Sequence, residues 1–270
     1  MTQTDAAVRV STGDAQPDRL PRLIAFDLDD TLAASKQPLT PQMGRALAEL
    51  LACRPVCVIS GGSFEQFETQ VLGNLPPDAD LAGLHLMPTC GTRYLTYGAG
   101  GWHEVYAHNL SPELRHRAIE ALEQQARRLG LWEPDDRVVG ARIEDRGSQI
   151  TFSALGQAAG VDEKRAWDPD GSKREELRRA VAPLVPELEV RAGGSTSVDV
   201  TQRGIDKAYG IRQLAIQTGI SLGDMLFIGD RLVPGGNDFP VAELGVPCHA
   251  VLGPADTLSY LARLTASLRH

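Results

Sequence analysis

No stretch of 18 or more consecutive apolar residues occurs in the chain, so no membrane-spanning helix and no membrane partner are expected. The opening MTQTDAAVRVSTGDAQPDRLP has no apolar h-region; it does not read as a secretory signal, and residues 1–20 read as a disordered tail. Cysteine is scarce, with only Cys53, Cys57, Cys90 and Cys248. The Cys53–Cys57 spacing touches on metal or redox chemistry, but the plainer reading is four small apolar fillers in a reducing cytosol, and a cytoplasmic location follows. Positive charge is also short: 27 lysines and arginines face 35 acidic residues, for a formal charge of −8 and a pI near 5.3. Non-specific nucleic-acid binding needs a basic footprint, so no nucleic-acid partner is expected. An anionic substrate must therefore be met locally, by a metal or by a few placed cations. Internal repeats are missing too.

What is present suffices for a full core. At 42% hydrophobic, 270 residues make one large domain or two ordinary ones. RLIAFDLD, PVCVIS and LHLMPTCG read as apolar strands of the kind buried on both faces of a parallel sheet. TPQMGRALAELLA and FEQFETQVLGN between them read as helices, the first with Thr40 as N-cap and Pro41 at the first helical position. Strand–helix alternation of this kind implies right-handed crossovers. The pattern then changes. RYLTYGAGGWHEVYAH reads as a hairpin turning at Gly98–Gly101, and SPELRHRAIEALEQQARRLGL as a long amphipathic helix capped by Ser111. ARIEDRGSQITFSAL reads as two antiparallel strands, KREELRRAVAPLV as a helix and LEVRAGGSTSVDVT as a further strand pair. The α/β rhythm returns with the helix IDKAYGIRQLAIQTG, the strand DMLFIGD, a short helix in FPVAELGV and a last strand in PCHAVLG. The expected fold class is α/β: a Rossmann-like parallel core (21–109 and 200–270) interrupted by an α+β cap (110–199).

Ligands of an open parallel sheet bind beyond the carboxyl ends of its strands. Three strands here end in reactive polar residues: Asp27 and Asp29 after LIAF, Ser60 after CVI, and Asp230 after LFIG, with Asn237 and Asp238 close behind. Such carboxylates repel one another unless a cation sits among them. Hard oxygen ligands suit Mg2+; it would stand beside a substrate phosphate that one aspartate attacks to form an acyl phosphate.

DLDDT, Ser60, Lys207 and GDRLVPGGND, in that order, resemble the four signature motifs of the haloacid dehalogenase superfamily. The insertion between the second and third resembles the cap of its subclass IIB. SGGSFEQFETQVLGN, IEDRGSQITFSALGQ and AGGSTSVDV are similar to segments of eukaryotic-type phosphomannomutases and related sugar-phosphate phosphatases. The resemblance implies that Asp27 is the nucleophile and that Asp29 is the general acid/base. It implies Mg2+ ligands at Asp27, the Asp29 carbonyl and Asp230, with Asn237 and Asp238 nearby. Ser60, with Gly61 beside it, is implied to hydrogen-bond a phosphoryl oxygen, and Lys207 to neutralise phosphate charge and steady Asp27.

Water and a sugar hydroxyl are equivalent acceptors for one aspartyl phosphate, so the cap decides the outcome. Arg146 is the one counterpart kept from the family's cap arginines, and Ser197 and Asp199 match sugar-contacting positions. Lys36 stands where the family has an arginine, Cys90 where it has an asparagine, and Gln157 where it has a cap arginine that grips the distal phosphate. Glutamine offers neither the charge nor the fork of arginine; Arg142, Arg165 and Arg191 are the candidates to compensate. The sequence reading therefore favours a phosphatase acting on a small phosphorylated sugar or polyol, with a phosphomannomutase-type hexose phosphate mutase as the alternative and a non-catalytic binding protein third. The resemblance also allows a homodimer formed through the cap.

Overall fold

Leu23, Ile24, Ala25 and Phe26 are each at most 1% exposed, because the strand they form has neighbours on both edges and packing on both faces. A computed structural model describes residues 8–17, 19–194 and 196–269. In chain order the elements begin with β1 (Val10–Thr12), β2 (Leu23–Phe26), α1 (Pro41–Leu51), β3 (Val56–Ile59), α2 (Phe64–Gln70), β4 (Leu84–Met87), β5 (Arg93–Gly98) and β6 (Gly101–Ala107). There follow α3 (Pro112–Arg128), β7 (Ile143–Asp145), β8 (Gln149–Ser153), α4 (Val161–Trp167), α5 (Ser172–Val181), β9 (Leu188–Ala192) and β10 (Ser197–Gln202). The chain ends with α6 (Lys207–Thr218), β11 (Met225–Gly229), α7 (Phe239–Glu243), β12 (Cys248–Ala250) and α8 (Pro254–Leu268).

The chain divides into two compact units, Met1–Ala107 with Asp206–His270, and His108–Ile205. In the first, one sheet has the order β1-β12-β11-β2-β3-β4-β5-β6. It is parallel from β1 to β4, and β5 and β6 add an antiparallel hairpin at its edge. The two-residue period of each strand splits its side chains between two cores. Ile24, Phe26, Val56, Val58, Leu226 and Ile228 join α1 and α8 residues such as Leu47 and Leu264 in one. Leu23, Ala25, Cys57, Met225 and Phe227 join Ile211 and Leu214 of α6 and Val241 of α7 in the other. Thr40 caps α1, its hydroxyl accepting from the Met43 amide at 3.2 Å with Pro41 in the first turn.

The second unit is a four-stranded antiparallel sheet of order β7-β8-β10-β9. Ile150, Phe152, Val190, Val198 and Val200 pack with Ala118 and Leu122 of α3 and Leu177 and Val181 of α5. Alternation then puts Gln149, Thr151 and Ser153 of β8 and Ser197, Asp199 and Thr201 of β10 on the opposite, polar face.

Several expectations need correction. Residues 1–20 are not all tail: β1 pairs in parallel with the edge of β12, Val10 beside Cys248, because that edge offers unpaired backbone groups. Residues 1–7 and 18 lie outside the described residues. The first apolar strand, read through Asp29, stops at Phe26, so Asp27 and Asp29 both lie in the loop that follows it. Helices α4 and α8 were not read from the sequence, although Thr257, Tyr260, Leu261, Leu264 and Leu268 of α8 are buried at helical spacing. Among the described residues no helix is long and apolar enough to cross a membrane.

Candidate active site

Leaving β2, the chain goes out through β3 and β4 and returns on the other side of β2 as β11 and β12. The sheet order therefore reverses between β2 and β11, the place where an open α/β sheet has a crevice at its carboxyl ends. Asp27 follows β2 directly; its amide donates to Ile228 O at 3.0 Å, and its Oδ1 accepts from the Leu28 amide at 2.7 Å. Asp230 follows β11, and Asp238 precedes α7. Gly229 leaves room for the Asp238 carboxylate, since a Cβ there would stand 2.8 Å from Asp238 Cγ.

Lys207 is the first residue of α6, which Asp206 caps by accepting from the Tyr209 amide at 2.8 Å. Its Nζ lies 2.6 Å from Asp27 Oδ1 and 2.5 Å from Asp238 Oδ1, with 2% of the side chain exposed. The approach of α6 depends on an unusual turn. Thr89, Cys90 and Gly91 have φ of 49°, 56° and 83°, a left-handed run that costs about 1–3 kcal/mol per non-glycine residue. The turn packs against Gly210 of α6, where a Cβ would come within 2.8 Å of Cys90 O. Two backbone bonds tie it to the loop after β3, Cys90 N to Ser60 O at 2.9 Å and Thr89 N to Gly62 O at 3.0 Å.

Electrostatically the centre is short of positive charge. Burial pushes the Asp27 carboxyl well above the usual carboxylate range; Lys207 pulls it down, and Asp238 pushes it up again. Burial works against the Lys207 charge, but Asp238 and Asp27 more than compensate and hold the ammonium protonated. Asp230 is raised by burial first and by Asp238 second. Asp27, Asp230 and Asp238 each offer a carboxylate oxygen, all within 4.8 Å of one another. Three acidic groups around one buried ammonium, all hard oxygen donors, form a set that fits a divalent cation.

The other residues singled out from the sequence sit as follows. Ser60 is buried at the end of β3, its Oγ accepting from the Gly62 amide at 3.2 Å, and Gly61 is half-buried beside it. The next serine, Ser63, which is not one of those singled out, stands at the N-cap of α2 and makes no side-chain cap bond among the described residues. Asp29 is outside the three-carboxylate group; it accepts from the Lys36 amide at 2.7 Å, from Gln66 Nε2 at 3.3 Å and from Gln70 Nε2 at 3.4 Å. Lys36 Nζ stands 4.0 Å from Asp29 Oδ2. Asn237 is exposed next to the fully buried Asp238. Gln66, Gln70 and Thr31, whose hydroxyl donates to Asp230 at 3.4 Å, were missed; the repeat of glutamine at i and i+4 on α2 was the available signal.

In the second unit, Arg146 donates twice to Glu144, at 2.6 and 3.0 Å. Asp199 accepts from Thr151 Oγ1 at 2.8 Å, and Ser197 pairs in register with Ser153. Gln157 has its Nε2 buried without a hydrogen-bond partner among the described residues. Of the three arginines considered as its substitutes, Arg142 donates to Glu133 O and Asp135 and lies over the Trp132 ring at 4.2 Å. Arg165 is exposed on α4. Arg191 pairs in register with Asp199 on the polar face of the sheet. All four cysteines are free thiols; Cys57 and Cys248 are buried, which pushes the Cys248 thiol up to about 12.

Residues 134–267 match the eukaryotic phosphomannomutase family. The chain is 26% identical over 255 residues to a probable phosphomannomutase of Caenorhabditis elegans, covering 91% of this chain and 96% of that one. In sequence the chain is thus similar to phosphomannomutases along nearly its whole length. It is also 27% identical to a phosphomannomutase of Spinacia oleracea, over 88% of this chain and 94% of that one. In fold it is similar to the IMP-nucleotidase of Plasmodium falciparum, with a TM-score of 0.66 at 16% identity over 91% of this chain and 68% of that one. It is similar as well to a trehalose-6-phosphate phosphatase of Aspergillus fumigatus, with a TM-score of 0.50 at 18% identity over 92% and 93% of the two chains. The protein is thus an enzyme of the phosphatase or phosphomannomutase-like phosphotransferase kind. The curated relatives' names favour the mutase, which the sequence reading had ranked second.

Proposed function

We propose that the protein moves a phosphoryl group of a small phosphorylated sugar through an aspartyl phosphate on Asp27, and that the net reaction is hexose phosphate isomerisation. The observation that carries phosphoryl transfer is the buried Asp27–Lys207–Asp238 arrangement with Asp230 beside it. The finer reading is supported by phosphomannomutases that match along both units of the chain.

Asp27, the Asp29 carbonyl, Asp230 and Asp238 would hold Mg2+, with exposed Asn237 beside them. When bound, Mg2+ adds positive charge next to the phosphoryl oxygens, which anionic phosphorus chemistry needs. Lys207 keeps one Asp27 oxygen in place at 2.6 Å. The Asp27 oxygen bonds to phosphorus as the ester P–O bond breaks, and Asp29 gives its proton to the departing oxygen. In the second half Asp29 takes a proton from the incoming hydroxyl, whose oxygen bonds to phosphorus as the bond between the Asp27 oxygen and phosphorus breaks. Ser60 and Gly61 at the end of β3 hold a phosphoryl oxygen. Arg146, Ser197 and Asp199 hold the sugar and its distal phosphate, with Lys36 as a further cation.

Hydrolysis of the same intermediate is the second reading, and Gln157 favours it. A mutase must keep its bisphosphate intermediate through reorientation, and the uncharged Gln157 holds phosphate less well than arginine. Phosphate release and hexose phosphate interconversion are measured side by side with Mg2+, with and without a hexose bisphosphate primer. Primer-dependent isomerisation faster than phosphate release is expected; the reverse order establishes the phosphatase. Asp27→Asn abolishes both activities, and normal turnover by that variant refutes the assignment of the nucleophile.

A further inference from the structure

Three N–H donors grip Asp29. Oδ1 takes the Lys36 amide and Gln70 Nε2, and Oδ2 takes Gln66 Nε2. Gln66 and Gln70 are one turn apart on α2, so their amides lie side by side. The polarity of both amides is fixed from one end. Lys36 Nζ, which can only donate, donates to Gln66 Oε1 at 2.8 Å. Gln66 Nε2 then donates to Gln70 Oε1 at 2.5 Å, and Gln70 Nε2 donates to Gln37 O at 2.8 Å as well as to Asp29. With both amide oxygens taken, both NH2 groups face the carboxylate; a flip of either amide would set oxygen against oxygen. Gly62 makes the space. A Cβ there would lie 2.6 Å from Gln66 Cδ, and Gly62 is not among the positive-φ glycines. Room for the amide, not backbone conformation, is what asks for glycine at 62.

We propose that Gln66 and Gln70 are positioning residues for proton transfer by Asp29. As a two-amide fork they fix the rotation of the Asp29 carboxylate while it hands its proton to the departing ester oxygen. This rests on the reading of Asp29 as the general acid/base. A fork that merely fastens α2 to the loop at Gln37 would affect all substrates alike. A fork that sets up proton transfer matters in proportion to how much the leaving oxygen needs a proton.

The full chain is assayed with Mg2+ on p-nitrophenyl phosphate, whose phenolate leaves without help, and on phenyl phosphate, whose more basic phenolate needs the proton. The values of kcat/KM, which report the step that phosphorylates Asp27, are compared for wild type, Asp29→Asn, Gln66→Leu, the isosteric Gln66→Glu and Gly62→Ala. General acid catalysis is commonly worth a factor of about 10²–10⁴, so Gln66→Leu is expected to lose roughly tenfold more on phenyl phosphate than on p-nitrophenyl phosphate. Gln66→Glu, which keeps the shape but replaces the donor with a like charge, is expected to lose at least as much. Gly62→Ala displaces the amide without deleting a polar group and carries the test if Gln66→Leu does not fold. Equal losses on both esters for the Gln66 and Gly62 variants, with Asp29→Asn still ester-selective, overturn the positioning role alone. If Asp29→Asn is also unselective, or wild type turns over neither ester, the reading of Asp29 falls and the inference with it.

Discussion

Lys207→Met removes one charge from the centre of the site and leaves most of the side chain's bulk. In the native structure Nζ is 2.6 Å from Asp27 and 2.5 Å from Asp238. At an effective dielectric of about 20, each pair contributes roughly 6 kcal/mol of gross attraction, much of it cancelled by taking the charges out of water. Removing one member of a buried pair strands its partner, at a net cost of about 3–5 kcal/mol. For a protein of this size each kcal/mol moves Tm by roughly 2–4 °C, so the variant should melt roughly 6–20 °C below wild type at neutral pH. Two further signatures identify the cause as stranded negative charge. The Asp27 carboxyl is raised by burial, so the folded state takes up its proton more readily than the unfolded chain. The stability linked to that proton is present at low pH and is lost as pH rises through the folded pKa. Without Lys207 this loss grows, so the gap between variant and wild type should narrow on acidification. Mg2+ is expected to bind the three carboxylates in place of the missing charge, and at about 100 times its Kd it would return about 2.7 kcal/mol. Melting and urea titrations at several pH values, with EDTA or with excess MgCl2, read all three effects. A variant that melts within about 1 °C of wild type, or whose deficit is the same at every pH, refutes the reasoning.

His249 is fully buried, stacked on Tyr260 at 3.6 Å and bonded to Ser11 Oγ at 2.9 Å, and burial holds its pKa below the ordinary histidine value. The unfolded chain therefore takes a proton near pH 6.5 before the native state does, and stability falls by up to about 1.4 kcal/mol per pH unit below that point. His249→Phe should flatten this acid limb in melts recorded from about pH 5 to 7; an unchanged slope counts against a neutral buried ring. Gln157→Arg, made in the Asp27→Asn background so that nothing turns over, should tighten hexose bisphosphate binding by roughly 10–100-fold, the worth of one charged hydrogen-bonded contact. Calorimetric titration reads it, and an unaltered Kd removes Gln157 from the argument about the acceptor.

The sheet was readable because its inner strands are apolar on both faces: LIAF, VCVI and MLFIG are each buried end to end. The helix starts at Thr40–Pro41 and Ser111–Pro112 were readable for a chemical reason, since both hydroxyls accept an amide of the first turn. What escaped falls into two kinds. Helix α8 carried its own signal, Pro254 at the first turn followed by an apolar stripe, and was simply not read. Strand β1 carried almost none. Two half-buried residues and an exposed one become a strand only because β12 presents an open edge, a fact of the fold and not of the segment. The partners of Asp29 are of this second kind. Gln66 and Gln70 look like the solvated face of a short helix, and only the path of the loop through Lys36, with its φ of 61°, brings Asp29 between them.

The division of the chain keeps the acidic cluster within one unit. Asp27, Asp29, Ser60, Lys207, Asp230 and Asp238 all belong to the first unit, although the whole second unit interrupts the sequence between Ser60 and Lys207. The interruption leaves the sheet untouched because it departs after β6, the last strand at one edge. The β2–β11 register that brings Asp27 near Asp230 runs Leu23 to Met225 through Phe26 to Ile228 and passes through no residue of the insertion. Substitutions at Arg146, Gln157, Ser197 or Asp199 are therefore expected to leave the charge balance at Asp27 as it is.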